Sequence, residues 1–406
     1  MTVASKESVR AETPFRFDNV GSFLRPEKLK EAREAFAKGS TSEQDLKAVE
    51  DEAIKDLIQK QKDVGLKAIT DGEFRRSWWH LDFMWGLQGV EKQDIKKGYQ
   101  FQGEETRAET ARLTGKISGE NHPFVEHFQF IQQFADEEAV ARQTIPAPAQ
   151  FLAELQRPEN VEITNQLYPN QNELAEDIAA AYRTVIQDLY EAGCRNLQVD
   201  DCTWGMLVDE NYWASRHDGA NVEDIGTLYV NLNNKAIENH PEDLIITTHV
   251  CRGNYHSTWA SSGAYDTIAK ILFAQEKVKA YYLEFDTERA GGFKSLVNVS
   301  DDKLVVLGLF SSKLPELEDK AQIKKRIEEA SKYVPIERLC VSPQCGFAST
   351  EEGNILTEEQ QWAKLRLVRE VAEEVWGKIN MFGDRQAEGI QPISKQSDVS
   401  SSTHFF

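Results

Sequence analysis

The sequence lacks long apolar runs and has few cysteines and fewer basic than acidic residues, and each of these shortages argues against one class of protein. It has no continuous apolar run of the roughly 18 residues that a membrane-spanning helix requires. Five cysteines among 406 residues, an odd number without short regular spacing, do not form a disulfide framework and indicate reduced thiols or metal ligands. Lys and Arg number 47 against 67 Asp and Glu, a net charge of −20, which argues against nucleic acid or an anionic membrane as a partner.

Two motifs are also missing. Residues 1–12 are polar and lack the apolar core of a secretory signal, so we expect a cytoplasmic location. No Gly-x-Gly-x-x-Gly follows a first strand, so a dinucleotide-binding fold loses support. Apolar residues make up 40% of the chain, enough for a sizeable core in either two average domains or one large barrel.

Strand patterns alternate with helical patterns along most of the chain. Strands are predicted at 15–25, 66–70, 140–145, 196–201, 244–251, 281–286, 304–310 and 339–345. Helices are predicted at 27–38, 42–64, 173–192, 222–238, 265–275, near 293, at 317–331 and, with a capping box formed by Thr357 and Gln360, at 357–376. This alternation predicts right-handed βαβ units and a parallel sheet. With about eight strands it favours an α/β fold of the (β/α)₈ TIM-barrel type, and a doubly wound open sheet is the alternative.

The predicted organisation is one barrel domain at 15–392, between an N-terminal arm at 1–14 and a polar, Ser-rich tail at 393–406. Repeated glycines interrupt the pattern at about 78–135. We therefore predict an inserted excursion after the second strand, containing a β-hairpin.

One predicted strand ends in His249-Val250-Cys251. Residues two apart on an extended chain point to the same face, so this strand delivers two soft metal ligands together. A satisfied core histidine beside a buried cysteine is the alternative. Two later strand ends, Tyr281 to Asp286 and Leu339 to Gly346, each place a zinc-compatible side chain where a barrel would bring strand ends together. Cys194, Cys202 and Cys340 are interpreted as core or near-core thiols, with Cys202 nearest the rim.

Four stretches together resemble the catalytic C-terminal half of cobalamin-independent methionine synthase, the 5-methyltetrahydropteroyltriglutamate–homocysteine methyltransferase family, over residues 15–380. They are Val20-Gly21-Ser22-Phe23, Asp71-Gly72-Glu73-Phe74, Gln198-Val199-Asp200, and Thr248-His249-Val250-Cys251 with Glu284 and Cys345-Gly346. The family's separate N-terminal barrel has no counterpart here, so the chain looks like one of its short, single-barrel relatives. The resemblance implies a (β/α)₈ barrel that binds Zn²⁺ through His249, Cys251, Glu284 and Cys345.

This ligand set suits thiol chemistry. One imidazole, two thiolates and a carboxylate around Zn²⁺ sum to −1, which would ionise a substrate thiol while keeping its sulfur nucleophilic. A carboxylate ligand also exchanges more readily than a third thiolate, as a catalytic site requires. A closed, structural zinc site is the alternative. The wide spacing of the ligands disfavours it, because structural sites use short Cys-x₂₋₄-Cys knuckles.

The resemblance further implies a clamp for an α-amino acid. Glu73 and Asp200, the candidate catalytic carboxylates, would bind the ammonium group of homocysteine, while Ser22 and the backbone near Val20 would bind its carboxylate. Simpler roles remain open at each position. Asp200 and its neighbour Asp201 could form a solvated strand end or a helix cap, Glu73 could pair with Arg75 or Arg76, and Ser22 could be a turn residue.

The sequence departs from the family on the side of the methyl donor. Phe310 stands where the family has a histidine presumed to protonate the folate leaving group, and Phe cannot donate a proton. Pro146-Ala147-Pro148 replaces the family's pterin-stacking tryptophan stretch. His80, His256 and Lys313 are candidate substitute acids. Trp78, Trp79 and Trp85 are candidates for an apolar wall around a methyl donor, or for core of the excursion.

The sequence therefore predicts a cytoplasmic zinc-dependent methyltransferase that acts on small molecules, with a zinc-bound thiolate as nucleophile and homocysteine converted to methionine. 5-Methyltetrahydrofolate is the donor that the resemblance implies, although Phe310 speaks against it. The alternatives are another small thiol, another donor such as a corrinoid or a sulfonium, or a zinc lyase or hydrolase on the same barrel. The oligomeric state does not follow from the sequence.

Overall fold

The computed structural model describes residues 14–216 and 220–377, so the predicted tail and nearly all of the predicted arm lie outside the described residues. The fold is mixed α/β. The strands are β1 Ala68–Ile69, β2 Gln88–Asp94, β3 Gln100–Phe101, β4 Glu104–Glu105, β5 Glu109–Ser118, β6 Val140–Ala141, β7 Gln143–Pro146, β8 Asn196–Asp201, β9 Ile245–Val250, β10 Ala280–Glu284, β11 Leu304–Phe310 and β12 Leu339–Pro343.

α-Helices connect these strands. They are α1 Glu27–Ala37, α2 Glu43–Val64, α3 Leu81–Trp85, α4 Phe124–Gln132, α5 Pro148–Leu155, α6 Val161–Leu167, α7 Gln171–Glu191, α8 Thr203–Leu207, α9 Glu210–Arg216, α10 Val222–Ala236, α11 Ala269–Gln275, α12 Lys320–Ala330 and α13 Glu358–Trp376. The predicted helix at 265–275 is a 3₁₀ turn, Tyr265–Thr267, followed by α11, and the one near 293 is the 3₁₀ helix Phe293–Asn298.

Six strands form one parallel sheet in the order β7-β8-β9-β10-β11-β12. Strands β8 and β11 have the predicted bounds, because each is a continuous buried run of the kind that a sheet covered on both faces requires. The register places His249 of β9 opposite Asp200 of β8 on one side and Tyr282 of β10 on the other. The carboxyl ends of the strands therefore bring the predicted site residues to one edge of the sheet.

Two shorter parallel contacts lie beside this sheet. Strand β1 pairs with β6, and Phe17 forms a parallel bridge with Val341 of β12. The strand predicted at 15–25 is thus reduced to a single bridge. Asp18 of this segment is instead held by a buried ion pair with Arg142, 2.8 Å long. The Asp18 side chain points into the protein at this position, and the strand-type pairing with β12 does not continue beyond Phe17.

The region predicted as an excursion contains antiparallel strands. Strand β2 pairs antiparallel with β5, and β3 pairs antiparallel with β4. The region also contains the helices α3 and α4, which the sequence pattern did not indicate. Their apolar residues join the main core, so this part of the chain packs against the sheet's helices.

Helix ends follow local capping chemistry. The predicted capping box of Thr357 and Gln360 at the start of α13 is confirmed. Ser42 and Asp45 form a second box at the start of α2, which ends at Gly65 in the left-handed conformation. None of the helices among the described residues is both long and apolar enough to cross a membrane.

Candidate active site

Four side chains from three strand ends and a following turn meet in one buried cluster. The ligand atoms of His249, Cys251, Glu284 and Cys345 all lie within 4.8 Å of one another, and all four residues are buried. The Sγ atoms of Cys251 and Cys345 are 3.8 Å apart. Parallel strands explain this convergence, because β9, β10 and β12 all end at the same edge of the sheet. A tetrahedral metal ion has its protein ligands at comparable mutual distances.

The backbone fixes the orientation of the His249 ring. Its Nδ1 lies 3.3 Å from the carbonyl oxygen of Tyr282, to which it can donate. Its Nε2 is buried and has no hydrogen-bond partner. Metal-binding histidines have this arrangement: one ring N–H donates to a carbonyl, and the other nitrogen offers its lone pair to the ion.

Glu284 is held as a carboxylate. Its Oε1 accepts a hydrogen bond from the backbone N–H of Arg252 at 2.8 Å, and its Oε2 lies 3.2 Å from Arg289 and 3.9 Å from the ammonium group of Lys313. Burial opposes ionisation, but the Lys313 and Arg289 cations outweigh it and lower the pKa of the Glu284 carboxyl below its usual value. A charged, fully buried carboxylate is thereby available as an oxygen ligand.

The thiols behave in the opposite way. Contact with Cys202, together with burial, raises the pKa of Cys251, and contact with Cys251, together with burial, raises the pKa of Cys345. The backbone N–H of Gly253 donates to the Cys251 sulfur at 3.3 Å, as it would to a thiolate. Without a cation these thiols are neutral, so the group needs a metal ion to become a ligand set.

The predicted amino-acid clamp borders this cluster. Val20, Ser22, Glu73 and Asp200 line a cavity of about 20 Å³. The same cavity is lined by three of the four clustered residues, by Trp79, and by Gly346 and Ser349. All four predicted substrate-binding positions therefore lie together, next to the thiols.

Glu73 has an unusual backbone conformation, with φ of 64°. A non-glycine residue there costs about 1–3 kcal/mol, a strain that is concentrated at functional sites. Its Oε1 accepts a hydrogen bond from Thr144 and pairs with Arg76 at 3.3 Å, while its Oε2 is buried without a partner. The ion pair that the sequence left open is present, yet one carboxylate oxygen remains available.

Burial, with a smaller contribution from the nearby Glu73 charge, raises the pKa of Asp200 well above its usual value. Burial also raises the pKa of Glu73. Two carboxyl groups whose proximity disfavours double ionisation are suited to receive a cation, because a bound ammonium group would relieve both effects.

Asp201 has a different role from Asp200. Its Oδ1 accepts a 2.8 Å hydrogen bond from the backbone of Thr203 at the start of α8, and its Oδ2 accepts one from Asn233. The helix-cap alternative therefore applies to Asp201. Asp200 instead faces the small cavity.

Sequence reasoning assigned no role to Gln198, which the structure places within the clamp. Its side-chain N–H₂ group donates to the carbonyl oxygen of Val20 at 2.5 Å and to Oδ1 of Asp200 at 2.9 Å. Gln198 is fully buried. The available signal was its position two residues before Asp200, on the same face of β8.

Ser22 lies against Gly346, which follows Cys345. The Ser22 Oγ accepts a 3.3 Å hydrogen bond from the backbone of Ala348. A Cβ at position 346 would lie 1.9 Å from that oxygen, so the close approach requires glycine. One tight turn thus connects the cluster of potential metal ligands to Ser22, the residue predicted to contact the substrate carboxylate.

A second, much larger cavity of about 890 Å³ adjoins the thiols. Cys251 and Cys202 line one side of it, and Trp78 and Trp79 line another. Cys202 is thus near the edge of the site, whereas Cys194 and Cys340 are fully buried. Trp85 belongs elsewhere: its indole N–H donates to the carbonyl of Thr110 in β5.

The candidate acids occupy different environments. His80 borders the large cavity, but burial lowers its pKa to about 3. His256 stacks on Tyr255 and pairs with Glu104 at the surface. Lys313 faces Glu284, and Phe310 is fully buried in the main hydrophobic core.

Comparison with known proteins decides the family. Residues 15–374 match the family model described as "Cobalamin-independent synthase, Catalytic domain". The chain belongs to this family. Two Bacillus subtilis relatives, both described as uncharacterized, share 42% and 43% identity with it: YxjH over 91% of this chain and 97% of its own length, and YxjG over 92% and 98%.

Solved structures of the family have the same fold. A Listeria monocytogenes protein assigned as a vitamin-B12 independent methionine synthase superposes with a TM-score of 0.71 at 39% identity, covering 90% of this chain and 98% of its own. A B12-independent methionine synthase from Shewanella sp. W3-18-1, solved with selenomethionine, superposes with a TM-score of 0.66 at 17% identity, covering 89% and 97%. The second likeness concerns the fold alone.

Proposed function

We propose that this protein is a zinc-dependent thiol methyltransferase that converts homocysteine to methionine. The observation that supports this most directly is the adjacency of two groups: four buried ligand atoms within 4.8 Å of one another, and a clamp of acidic and backbone groups lining the same small cavity. The first group suits a metal ion that activates sulfur. The second suits the charged end of an amino acid.

The residues present fit zinc. His249 has a buried nitrogen without a partner, and Glu284 is kept ionised by two cations. Imidazole, carboxylate and two sulfur atoms form the mixed set that Zn²⁺ accepts, whereas Mg²⁺ and Ca²⁺ prefer oxygen alone. Bound there, zinc would ionise the thiol of an incoming substrate near neutral pH.

The chain's own groups would orient the acceptor. Glu73 and Asp200 would hold its ammonium group, and Gln198 would keep Asp200 and the Val20 carbonyl in place. Ser22 would contact its carboxylate. These contacts fix the α-carbon, so that the side-chain sulfur points toward Cys251 and Cys345 and away from water.

We also propose that the parallel strands close into the (β/α)₈ barrel. The Phe17 bridge places one chain segment beside β12, and β1 pairs with β6, which ends two positions before β7 begins. A backbone hydrogen bond joins the turns that follow these two segments: Phe23 N donates to the Gly72 carbonyl at 3.1 Å. In a barrel, the carboxyl ends of the strands form the active face.

The test is a spectroscopic titration of the cobalt-substituted protein. Homocysteine should add a sulfur-to-cobalt charge-transfer band, and methionine, which lacks a thiol, should not. Methionine formation from homocysteine and a panel of methyl donors then measures turnover. A cobalt site whose spectrum is indifferent to homocysteine would contradict the proposal and favour a structural site or hydrolytic chemistry.

A further inference from the structure

The large cavity beside the thiols carries many aromatic side chains in its wall. Nine of the described lining residues are Phe, Tyr or Trp: Trp78, Trp79, Tyr99, Phe101, Tyr212, Trp213, Tyr229, Tyr255 and Trp259. Trp79 also lines the small cavity and packs against the cluster of Cys202, Cys251 and Cys345. A methyl group delivered to a sulfur in the small cavity would therefore pass the indole of Trp79.

The charges around the cavity do not suit an anionic ligand. Among the described lining residues, Glu154 and Asp209 are acidic and Arg157 is the one permanent cation. Arg157 is already engaged: it pairs with Glu154 and Glu159, each at 3.4 Å, and its guanidinium lies over the Tyr99 ring. Glu154 and Arg157 offset each other, so Asp209 and the π-faces of the aromatic side chains are the groups among the described lining residues that attract a cation.

The cavity's histidine is not placed to protonate a leaving group. His80 Nε2 lies 3.1 Å from the hydroxyl oxygen of Tyr99, and that hydroxyl donates to Glu154 at 2.7 Å. His80 is buried, and the desolvation that lowers its pKa to about 3 keeps it neutral at physiological pH. An amine donor, which must be protonated to leave, therefore finds no protonated histidine among the described residues that line this cavity.

We propose that the aromatic cavity binds a sulfonium methyl donor, with its cationic sulfur against the face of Trp79. This inference rests on the proposed function, because it names the donor for the same thiol. It differs from what the names of distant relatives imply. The Lactiplantibacillus plantarum 5-methyltetrahydropteroyltriglutamate–homocysteine methyltransferase, 21% identical over 347 residues, is named for a donor with several carboxylates.

The reaction balances without a proton donor. The ionised homocysteine sulfur attacks the methyl carbon and forms a new S–C bond. The bond from that carbon to the sulfonium sulfur breaks, and its electron pair stays on the departing sulfur, which leaves as a neutral thioether. Positive charge on the donor and negative charge on the acceptor cancel, so the apolar wall favours the transition state over the separated ions.

The experiment measures donor binding separately from turnover. The zinc-loaded protein is titrated in a calorimeter with S-adenosylmethionine and S-methylmethionine as sulfonium probes, and with the mono- and triglutamate forms of 5-methyltetrahydrofolate. At least one sulfonium should bind and give methionine with homocysteine. Trp79→Leu should weaken its binding roughly tenfold, the loss expected for one desolvated cation–π contact, while Trp79→Phe should retain most of it.

Trp85→Leu controls for general loss of packing: it removes a tryptophan outside the cavity and should leave sulfonium affinity unchanged. Trp259→Leu removes a second ring of the cavity wall, 37% exposed, and should also weaken sulfonium binding. Because Arg289 lies over Trp259, zinc content is measured in this variant as well. Binding and turnover of the folates or methylcobalamin, with neither sulfonium bound, would overturn the donor assignment. Failure of the cobalt titration would overturn thiol activation instead, and sulfonium binding would still be measured.

Discussion

The sulfur atoms of Cys251 and Cys345 lie 3.8 Å apart although 94 positions separate them in the chain. Contact between the thiols, with burial, raises the pKa of Cys345, so the pair is neutral until a cation arrives. Zinc binding should therefore release about two protons at neutral pH. Calorimetric titrations in buffers of different ionisation enthalpy give this number, and Cys345→Ser should reduce it by about one. Release of no protons would show that the thiols are not ligands.

Two variants should show that metal binding and substrate binding depend on different residues. Cys345→Ser removes a proposed ligand and should weaken zinc binding by roughly tenfold or more. Asp200→Asn retains the shape of the clamp but loses its charge, so it should keep full zinc content and weaken homocysteine binding about tenfold or more. Zinc analysis and equilibrium binding measure the two effects. Equal loss of zinc in both variants would contradict the assigned roles.

Amino-acid binding should depend on pH through the clamp. Burial, and to a lesser extent Glu73, raises the pKa of Asp200, so the carboxyl is protonated at a pH where an exposed aspartate is ionised. Only the ionised form attracts an ammonium group, and affinity should therefore increase as the pH rises through this elevated pKa. Methionine is the suitable probe, because it has no thiol to titrate. The dependence should be weaker in Asp200→Asn, and a flat wild-type profile below pH about 8 would contradict this account.

Gln198 should act as a positioning residue. Gln198→Met removes the two hydrogen bonds to Val20 and Asp200 at similar volume, and should raise the KM for homocysteine about tenfold while zinc content stays the same. Gln361→Met is the matched control: Gln361 is equally buried, in α13, and its side-chain oxygen accepts a hydrogen bond from Leu24. The same rise in KM in both variants would reduce Gln198 to a packing role.

Adding one methyl group, by a Gly→Ala substitution, should weaken homocysteine binding at Gly346 but not at an unconstrained glycine. Gly346→Ala places a Cβ 1.9 Å from the Ser22 Oγ, so Ser22 must move and homocysteine binding should fall by roughly tenfold. Gly292→Ala, where no heavy atom lies within 4 Å of the added Cβ, should behave as wild type. Unchanged affinity in Gly346→Ala would show that Ser22 does not contribute to the clamp.

How far the sequence predicts this structure depends on how local each signal is. Strand β11 is a continuous apolar run, and β8 alternates polar with apolar residues from Asn196 to Asp200, so the bounds of both follow directly from local sequence. Helix α5 was missed because six of its eight residues are buried, which hides the 3.6-residue period of an amphipathic helix. Strand β1, only two residues long, depends on pairing with β6, some 70 residues away.

The candidate site divides in the same way. Residue types indicated His249 and Cys251 and pointed to two later strand ends, because parallel strands bring their carboxyl ends together, and the resemblance to the family selected Glu284 and Cys345 at those ends. The bridging role of Gln198 depends on the distance between two strands, and no pattern in one sequence contains that distance. The large cavity likewise combines residues from 78–102 with residues from 202–213 and 253–259. Packing of the whole fold brings these segments together, so a local sequence pattern does not predict the cavity.

The cavity around the clamp is far smaller than an amino acid, since about 20 Å³ has room for roughly one water molecule. An amino acid that binds there must therefore move its walls apart, and Trp79 is a wall that the large cavity shares. Under the proposed function, entry of the acceptor amino acid therefore changes the shape of the large cavity. We therefore expect the two sites to be coupled, so that the affinity for a sulfonium differs between the homocysteine-free and the homocysteine-bound protein, and calorimetric titrations of both forms would measure the difference.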